Sequence, residues 1–287
     1  MHEQTARPAR IPILIVAGPT ASGKSSRAVR EALARGGEVI SVDSRQVYRG
    51  LDIGTEKMPA EEMRGVPHHL IDIRDADDPY SAGDFLADAR KLIGDIHARG
   101  KLPILAGGTH FYFDALLHGL PDDQPTDIRQ RNELEKLPAE ELYARVLAAD
   151  PRRAAELDPK NPRRLARALE IIERYGKVPA RPRAAPADLP YEVEWIVIDP
   201  PSEELRPRID ARLASAFDRG LADEVRRVRG EVGDVRLNEL GLEYRIVGDY
   251  LRGERSEASL LPTLSIKLWH YARRQKAWLR KLSDSMA

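Results

Sequence analysis

The chain contains no cysteine among its 287 residues. Disulfide bonds and zinc sites with cysteine ligands are therefore excluded, because both need a cysteine sulfur. Long hydrophobic runs are also lacking: the first ten residues hold charges and no apolar stretch, and no later run is long enough to span a bilayer. We therefore expect a cytoplasmic protein that does not enter a membrane.

An excess of either charge is likewise missing, since 46 basic residues balance 46 acidic ones. A protein that binds nucleic acid over its whole surface is not indicated, although the balance leaves room for a local basic face. Hydrophobic residues make up 42% of the chain, which is enough for a substantial core. The length fits one large domain or a core with one insertion.

The most informative motif is the pattern G-x-x-x-x-G-K-[ST], which residues 18–25 match at every fixed position. An apolar run before it predicts a strand at 13–17, and a helix is expected over 24–35. Such a loop turns backbone N–H groups and a helix N-terminus toward a phosphate. We expect a diphosphate or triphosphate to bind Gly18, Pro19, Thr20, Ala21, Ser22, Gly23, Lys24 and Ser25, with the Ser25 hydroxyl offered to Mg²⁺.

The first third of the chain alternates predicted strands and helices. Further strands are expected at 38–42, 69–73 and 102–106, with a helix over about 81–99. This alternation predicts the α/β class, with a parallel sheet flanked by helices on both faces.

The pattern changes after residue 121. Residues 122–190 show no convincing strand but helical stretches near 127–136, 139–149 and 163–175, and a segment rich in proline, alanine and arginine at 178–190 indicates a linker. A strand at 194–199 and helices over 203–219, 221–229, 239–251 and 258–282 follow. We therefore predict a catalytic core of residues 10–121 and 191–287, with an all-helical insertion domain at 122–190.

Two further segments fall at the carboxyl ends of predicted strands, where open α/β sheets bind ligands. Asp43 could hold magnesium-bound water or accept a proton, or it could simply cap a turn. Gly107 and Gly108 permit close approach of a ligand and Thr109 adds a hydroxyl; the alternative is a plain strand-to-helix turn capped by Thr109. For the adjacent His68–His69 pair, we favour structural roles.

Basic residues cluster in two places. One cluster, at 163–167, opens a predicted helix, and the other, at 267–281, combines six basic residues with three aromatic ones and no acid. Arginine and aromatic side chains together suit RNA, but a solvated amphipathic helix has the same composition.

Taken together, the motifs resemble the tRNA dimethylallyltransferases, also called the tRNA isopentenyltransferase or IPP transferase family. The resemblance covers nearly the whole chain in the family's order, and the combination is highly specific. The matching segments are GPTASGKS (18–25), DSRQVY (43–48), DIGT (52–55), PHHLID (67–72), GGTHFYFDALLHGL (107–120), RRLARALE (163–170), RIDAR (208–212) and ARRQKAWLR (272–280).

The resemblance implies a P-loop kinase-like core and transfer of a dimethylallyl group from its diphosphate to N6 of the adenine at tRNA position 37. It implies that Asp43 is the general base, that Thr109 lines the reaction channel and that Arg212 lies near the diphosphate. Mg²⁺ is the expected cofactor and the tRNA anticodon stem-loop the expected partner of a monomer. The implied tRNA contacts are Asp43, Ser44, Arg45, Gln46, Arg163, Arg164, Leu165, Ala166 and Arg167.

Three other functions share part of this pattern. A small-molecule P-loop kinase shares the phosphate loop, and an adenylate isopentenyltransferase acting on free nucleotide shares the chemistry. A non-catalytic RNA-binding protein that depends on a nucleotide is the third. The kinase alternative does not explain the long insertion or the basic, aromatic C-terminal segment.

Overall fold

A computed structural model describes residues 10–122, 128–180 and 188–284. These residues cluster into two compact units. The larger contains residues 10–116 and 188–284, and the smaller contains residues 117–180. The smaller unit begins and ends earlier than the range 122–190 expected from the sequence. Within the described residues, no helix is long and apolar enough to cross a membrane.

The larger unit is built on a five-stranded parallel sheet, as the alternation predicts. The strands are β1 (Ile11–Ala17), β2 (Gly37–Val42), β3 (His68–His69), β4 (Leu102–Gly107) and β5 (Tyr191–Val197). Their order in the sheet is β3-β2-β4-β1-β5, so the two strands that open onto the predicted phosphate site, β1 and β2, lie on either side of β4.

The central strands are mostly apolar and almost entirely buried. Leu14 of β1 pairs with Ile104 of β4, which in turn pairs with Val39 of β2, and all three side chains are buried. Continuous burial is the mark of a parallel sheet covered on both faces. The α/β prediction is therefore confirmed.

Helices fill the rest of the larger unit. A capping box starts α3 (Ala82–Ala98), because the Ser81 hydroxyl accepts from Asp84 N while the Asp84 carboxylate accepts from Ser81 N. The helices are α1 (Lys24–Arg35), α2 (Ala60–Met63), α3 (Ala82–Ala98), α4 (His110–His118), which reaches the unit boundary, α9 (Ser202–Asp218), α10 (Leu221–Leu237), α11 (Leu242–Leu251) and α12 (Leu260–Asp284).

The described part of the smaller unit is helical, with its own buried core. Leu142 and Val146 of one helix pack with Leu165 and Leu169 of another. The helices of this unit are α5 (Ile128–Glu135), α6 (Ala139–Ala149), α7 (Pro151–Glu156) and α8 (Pro162–Tyr175), and the packing just described joins α6 to α8.

Among the element boundaries that differ from the sequence prediction, three are linked to glycines or to positive φ angles. Strand β3 ends at His69 rather than 73, since Leu70 and Asp72 have positive φ angles of 61° and 55° that no strand accommodates. Helix α10 continues to Leu237, with a non-helical break at Gly233. Helix α11 starts at Leu242 because Gly241, at φ 145°, is not helical.

Candidate active site

The phosphate loop joins β1 to α1 and has the backbone geometry that an anion cradle needs. Gly23, with φ 83°, is left-handed and directly precedes α1, and Ala21 has φ 60°. A Cβ on Gly18 would meet Ser22 Oγ at 2.5 Å and Ile198 O at 2.9 Å, so glycine is required there by packing. The loop thus turns the N-terminus of α1, with its partial positive charge, toward the space above the sheet edge.

Lys24 lies inside this loop, where Nζ donates to Pro19 O at 3.3 Å. Burial lowers the pKa of Lys24 to about 8; nearby Asp43 opposes the shift, and Arg212 reinforces it. The ammonium group is short of compensating negative charge in the free protein. An anion in the loop would supply that charge.

A cavity of about 450 Å³ opens in front of the loop and brings together most of the predicted core-site residues. Predicted residues that line it are Thr20, Ala21, Gly23, Lys24, Ser25, Asp43, Ser44, Arg45, Gln46 and Arg212. Gly18, Pro19, Ser22 and Thr109 do not line it. Within the described chain, Ser22 Oγ is buried with no hydrogen-bond partner.

Asp43 caps a turn and also lies in the cavity lining, so its catalytic role stays a prediction. One carboxylate oxygen, Oδ1, accepts from the backbone N–H of Arg45 at 2.8 Å and of Gln46 at 3.4 Å, which makes Asp43 a turn cap. The residue also lines the cavity. Oδ2 accepts no hydrogen bond from the residues that the structure describes, so an acceptor atom remains for a ligand.

Thr109 supports the Asp43 segment instead of lining the cavity. Its hydroxyl accepts from Ser44 N at 3.2 Å, and its own N–H donates to Val42 O at 3.2 Å. The glycines before it are needed by the protein's own packing, because a Cβ on Gly107 would lie 2.1 Å from Val42 O.

Arg212 reaches the phosphate loop from helix α9. Its guanidinium donates to the Thr20 hydroxyl and to Glu243 at 3.3 Å, and it lies 4.0 Å from Glu56. Two carboxylates therefore hold the cation beside the loop, at the place where a ligand phosphate would compete for it.

Gln275 of α12 is a site residue that sequence reasoning missed. Its side chain is buried; Oε1 accepts from Thr20 N at 3.0 Å, and Nε2 donates to Gly108 O at 2.8 Å. The amide thus ties the phosphate loop to the end of β4. A usable signal exists: Gln275 falls on the stripe of buried positions that Leu268, Ala272 and Leu279 define at helical spacing.

Glu243 and Tyr271, also missed, line the same cavity. Burial raises the pKa of Glu243, opposed by nearby Arg212. Burial, with Asp43 and Glu243 adding to it, raises the pKa of Tyr271 to about 12, so its hydroxyl stays a donor near neutral pH. No sequence motif identifies either role, because both follow from packing between distant segments.

The other predicted tRNA contacts lie on α8 of the smaller unit. Arg163 and Arg164 are exposed, whereas Leu165 and Ala166 are fully buried in that unit's core. Side chains committed to the core cannot contact RNA, so the prediction is wrong for these two residues.

Arg167 is held by the smaller unit's own acids. It donates to the Asp122 carboxylate at 3.2 Å and to Glu170 at 2.8 Å, and both carboxylates are almost inaccessible to solvent. Asp122 also accepts from Arg174 at 2.9 Å, and Glu170 from Arg131 at 2.7 Å. The guanidinium therefore has a structural role that its place in a basic stretch did not reveal.

The basic residues of the C-terminal segment have two different surroundings, one within the protein and one exposed to solvent. Lys276 and Arg280 pair with Asp199 at 2.8 Å and 2.7 Å, which ties that side of α12 to the end of β5. Arg273 and Arg274 are exposed, and Arg274 lines the cavity.

The paired histidines are structural, as expected. His69 Nε2 lies 2.7 Å from a Glu38 carboxylate oxygen, and His68 Nδ1 lies 2.8 Å from Val66 O. Within the described ranges, no three His, Cys, Asp or Glu side chains form a group that could hold a metal ion. The Ser25 hydroxyl and the Asp43 carboxylate are hard oxygen donors in the cavity lining.

The chain is similar to known proteins over most of its length. The family model described as IPP transferase matches residues 46–282. A tRNA dimethylallyltransferase of Thermomicrobium roseum is 42% identical, over 96% of this chain and 85% of the relative, and one of a Roseiflexus species is 43% identical, over 96% and 92%.

Two solved structures are also similar. The full-length tRNA isopentenylpyrophosphate transferase of Bacillus halodurans matches with a TM-score of 0.70 at 38% identity, covering 94% of this chain and 87% of that one. A eukaryotic dimethylallyltransferase captured acting on tRNA matches with a TM-score of 0.78 at 26% identity, covering 93% and 69%.

Proposed function

The chain belongs to the IPP transferase family, and on this premise we propose that it is a tRNA dimethylallyltransferase. It transfers a dimethylallyl group from dimethylallyl diphosphate to N6 of the adenine at tRNA position 37, next to the anticodon. The observation that carries the proposal is the juxtaposition, in one cavity, of a phosphate cradle with an Asp43 carboxylate that has one uncommitted oxygen.

The bond changes assign a task to each side of this cavity. The carbon–oxygen bond to the diphosphate breaks, a bond forms between that carbon and the adenine N6, and N6 loses one proton. Asp43 accepts that proton through Oδ2, since an exocyclic amine is a poor nucleophile. The loop amides, Lys24 and Arg212 hold the leaving diphosphate as it gains negative charge.

Mg²⁺ is part of this proposal. The donor set fits, because Mg²⁺ binds through one or two protein oxygens plus substrate phosphates and keeps several waters. The Ser25 hydroxyl would hold the ion together with the diphosphate. When bound, the ion supplies positive charge to the leaving group.

For the RNA partner, we propose that the adenine leaves its stack to enter the cavity beside the 43–46 segment. An unpaired loop base can do so at low cost, whereas a paired base must first give up its Watson–Crick edge, to which N6 belongs. Arg163 and Arg164, exposed on the smaller unit, are the proposed contacts to tRNA phosphates. We propose that the enzyme acts as a monomer, which light scattering would test.

The decisive experiment incubates the protein with radiolabelled dimethylallyl diphosphate, Mg²⁺ and three acceptors. The acceptors are an anticodon stem-loop, the same stem-loop with its target adenine locked in a base pair, and free AMP. We expect label on the open stem-loop alone, with release of one diphosphate for each group transferred.

Each other outcome contradicts one part of the proposal. Equal rates on AMP and the stem-loop would favour an adenylate isopentenyltransferase. Equal rates on the open and paired RNA would contradict base extrusion as the basis of selectivity. ADP formation from ATP without label transfer would favour a kinase.

A further inference from the structure

The loop that follows the Asp43 segment forms one wall of the cavity, where Gly54, Thr55 and Glu56 contribute to the lining. This wall has an unusual backbone. Glu56 has a left-handed φ of 52°, and a Cβ on Gly54 would lie 2.8 Å from the Tyr244 ring. A loop with such constraints needs something that holds it in one conformation.

The carboxylate of Glu224, on helix α10, binds this loop and fixes its conformation. Three consecutive backbone N–H groups converge on it: Asp52 N at 2.9 Å and Ile53 N at 2.7 Å on Oε2, and Gly54 N at 2.9 Å on Oε1. The Tyr244 hydroxyl donates to Oε1 at 2.7 Å. Glu224 is buried, and four donors compensate for its charge.

The loop in turn determines how one predicted RNA-contacting side chain is oriented. Gln46 Nε2 donates to Thr55 O at 3.2 Å and Glu56 O at 3.3 Å, and its Oε1 accepts from the Ser41 hydroxyl at 2.9 Å. Carbonyl oxygens only accept hydrogen bonds, so the NH₂ end of the amide must face the loop. Gln46 therefore has one orientation only while residues 52–56 keep their conformation.

We propose that Glu224 is a positioning residue for RNA-base binding. It does not line the cavity; it acts by fixing the 52–54 backbone, which holds Gln46 in the orientation that the target adenine meets. The inference rests on the proposed function for the RNA step. We expect the diphosphate subsite to change little, because no described bond of Glu224 reaches residues 18–25 or Arg212.

The test is a double-mutant cycle between Glu224→Gln and Gln46→Ala. The glutamine keeps the shape of Glu224 but replaces one acceptor oxygen with a donor that opposes the N–H groups. Each single variant should lower kcat/KM for the anticodon stem-loop by about 10²-fold, as expected for a misplaced contact group. In the Gln46→Ala background, adding Glu224→Gln should cost less than about threefold, because the two residues act as one unit.

Glu231→Gln is the matched control, since it removes the same charge from an exposed position on the same helix. It should leave RNA kinetics unchanged, and diphosphate affinity should stay within about twofold for all variants. Additive losses in the cycle, or an equal loss of diphosphate affinity, would overturn the inference.

Hydrogen exchange separates failure of this inference from failure of the proposed function. Glu224→Gln should speed amide exchange at residues 52–54 by more than about tenfold and leave residues 18–25 unchanged. Unchanged exchange at 52–54 would overturn the positioning role of Glu224, even if the enzyme is active. Absence of transfer to RNA by the wild type would instead contradict the proposed function. If Glu224→Gln does not fold, Glu224→Asp, which withdraws the charge by one methylene, must show the same selective loss on RNA.

Discussion

The phosphate loop and the basic stretch of α8 are both short motifs that predict phosphate binding, yet the structure uses them differently. Around the loop, most predicted residues converge on one cavity. On α8, Leu165 and Ala166 are core residues, and Arg167 is bound to buried acids. A phosphate loop presents backbone N–H groups that its own sequence orients. An arginine, in contrast, is available to RNA only if no protein carboxylate takes it.

The largest effect should come from Asp43→Asn, beside the loop. The amide keeps Oδ1 as the acceptor for Arg45 N and Gln46 N, so thermal stability should be unchanged. Single-turnover transfer should fall by about 10²-fold or more, because the amide cannot accept the proton from N6. A rate within threefold of the wild type would remove Asp43 from that role.

The pH dependence of diphosphate binding should show the second largest effect. Lys24 has a pKa of about 8 in the free protein, and a bound diphosphate favours the charged form and raises that pKa. Affinity is therefore highest below pH 8 and should fall by about tenfold as the pH rises toward 9.5. Calorimetry on Lys24→Arg, which stays charged, corrects for titration of the diphosphate itself; parallel curves for the two proteins would contradict the assignment.

Gln275→Ala should have a smaller effect, and it tests whether the phosphate loop depends on a contact with the distant helix α12. It removes the one described side-chain tie between the loop and α12, leaving Thr20 N and Gly108 O without these partners. We expect a loss of about 1–3 kcal/mol in the free energy of unfolding and about a tenfold loss in diphosphate affinity. Arg273→Gln, on the exposed side of the same helix, should change neither; an intact diphosphate affinity in Gln275→Ala would show that the loop needs no distant support.

The smallest effect on binding should distinguish two neighbouring arginines of α8. Arg164→Gln should reduce the slope of log affinity for tRNA against log salt by about one, without changing stability, because each phosphate contact contributes nearly one. Arg167→Gln should lower the free energy of unfolding by about 1–3 kcal/mol, since it leaves buried Asp122 and Glu170 with fewer donors. Equal salt slopes with equal stability in the two variants would contradict this difference in role between Arg164 and Arg167.

Much of the fold could be predicted because its signals are local. The strands at β1, β2 and β4 are apolar runs, and the helices of the smaller unit show regular hydrophobic spacing. The end of β3 could not be predicted, since residues 70–73 look like a strand while Leu70 and Asp72 adopt left-handed conformations. The continuation of α10 from the predicted end at 229 to Leu237 was missed because Gly230 and Gly233 weaken the helical pattern there.

The sequence by itself determined the phosphate loop, the α/β class and the position of Asp43 at the sheet edge, because each depends on neighbouring residues and on backbone geometry. Only the tertiary structure decided which charged and polar side chains were left for ligands. Gln275, Glu243 and Glu224 reach their partners across 255, 31 and about 170 residues of chain. Whether such a group faces a ligand or the protein depends on which buried donor or acceptor it must satisfy, and that is settled by packing between segments that are distant in the chain.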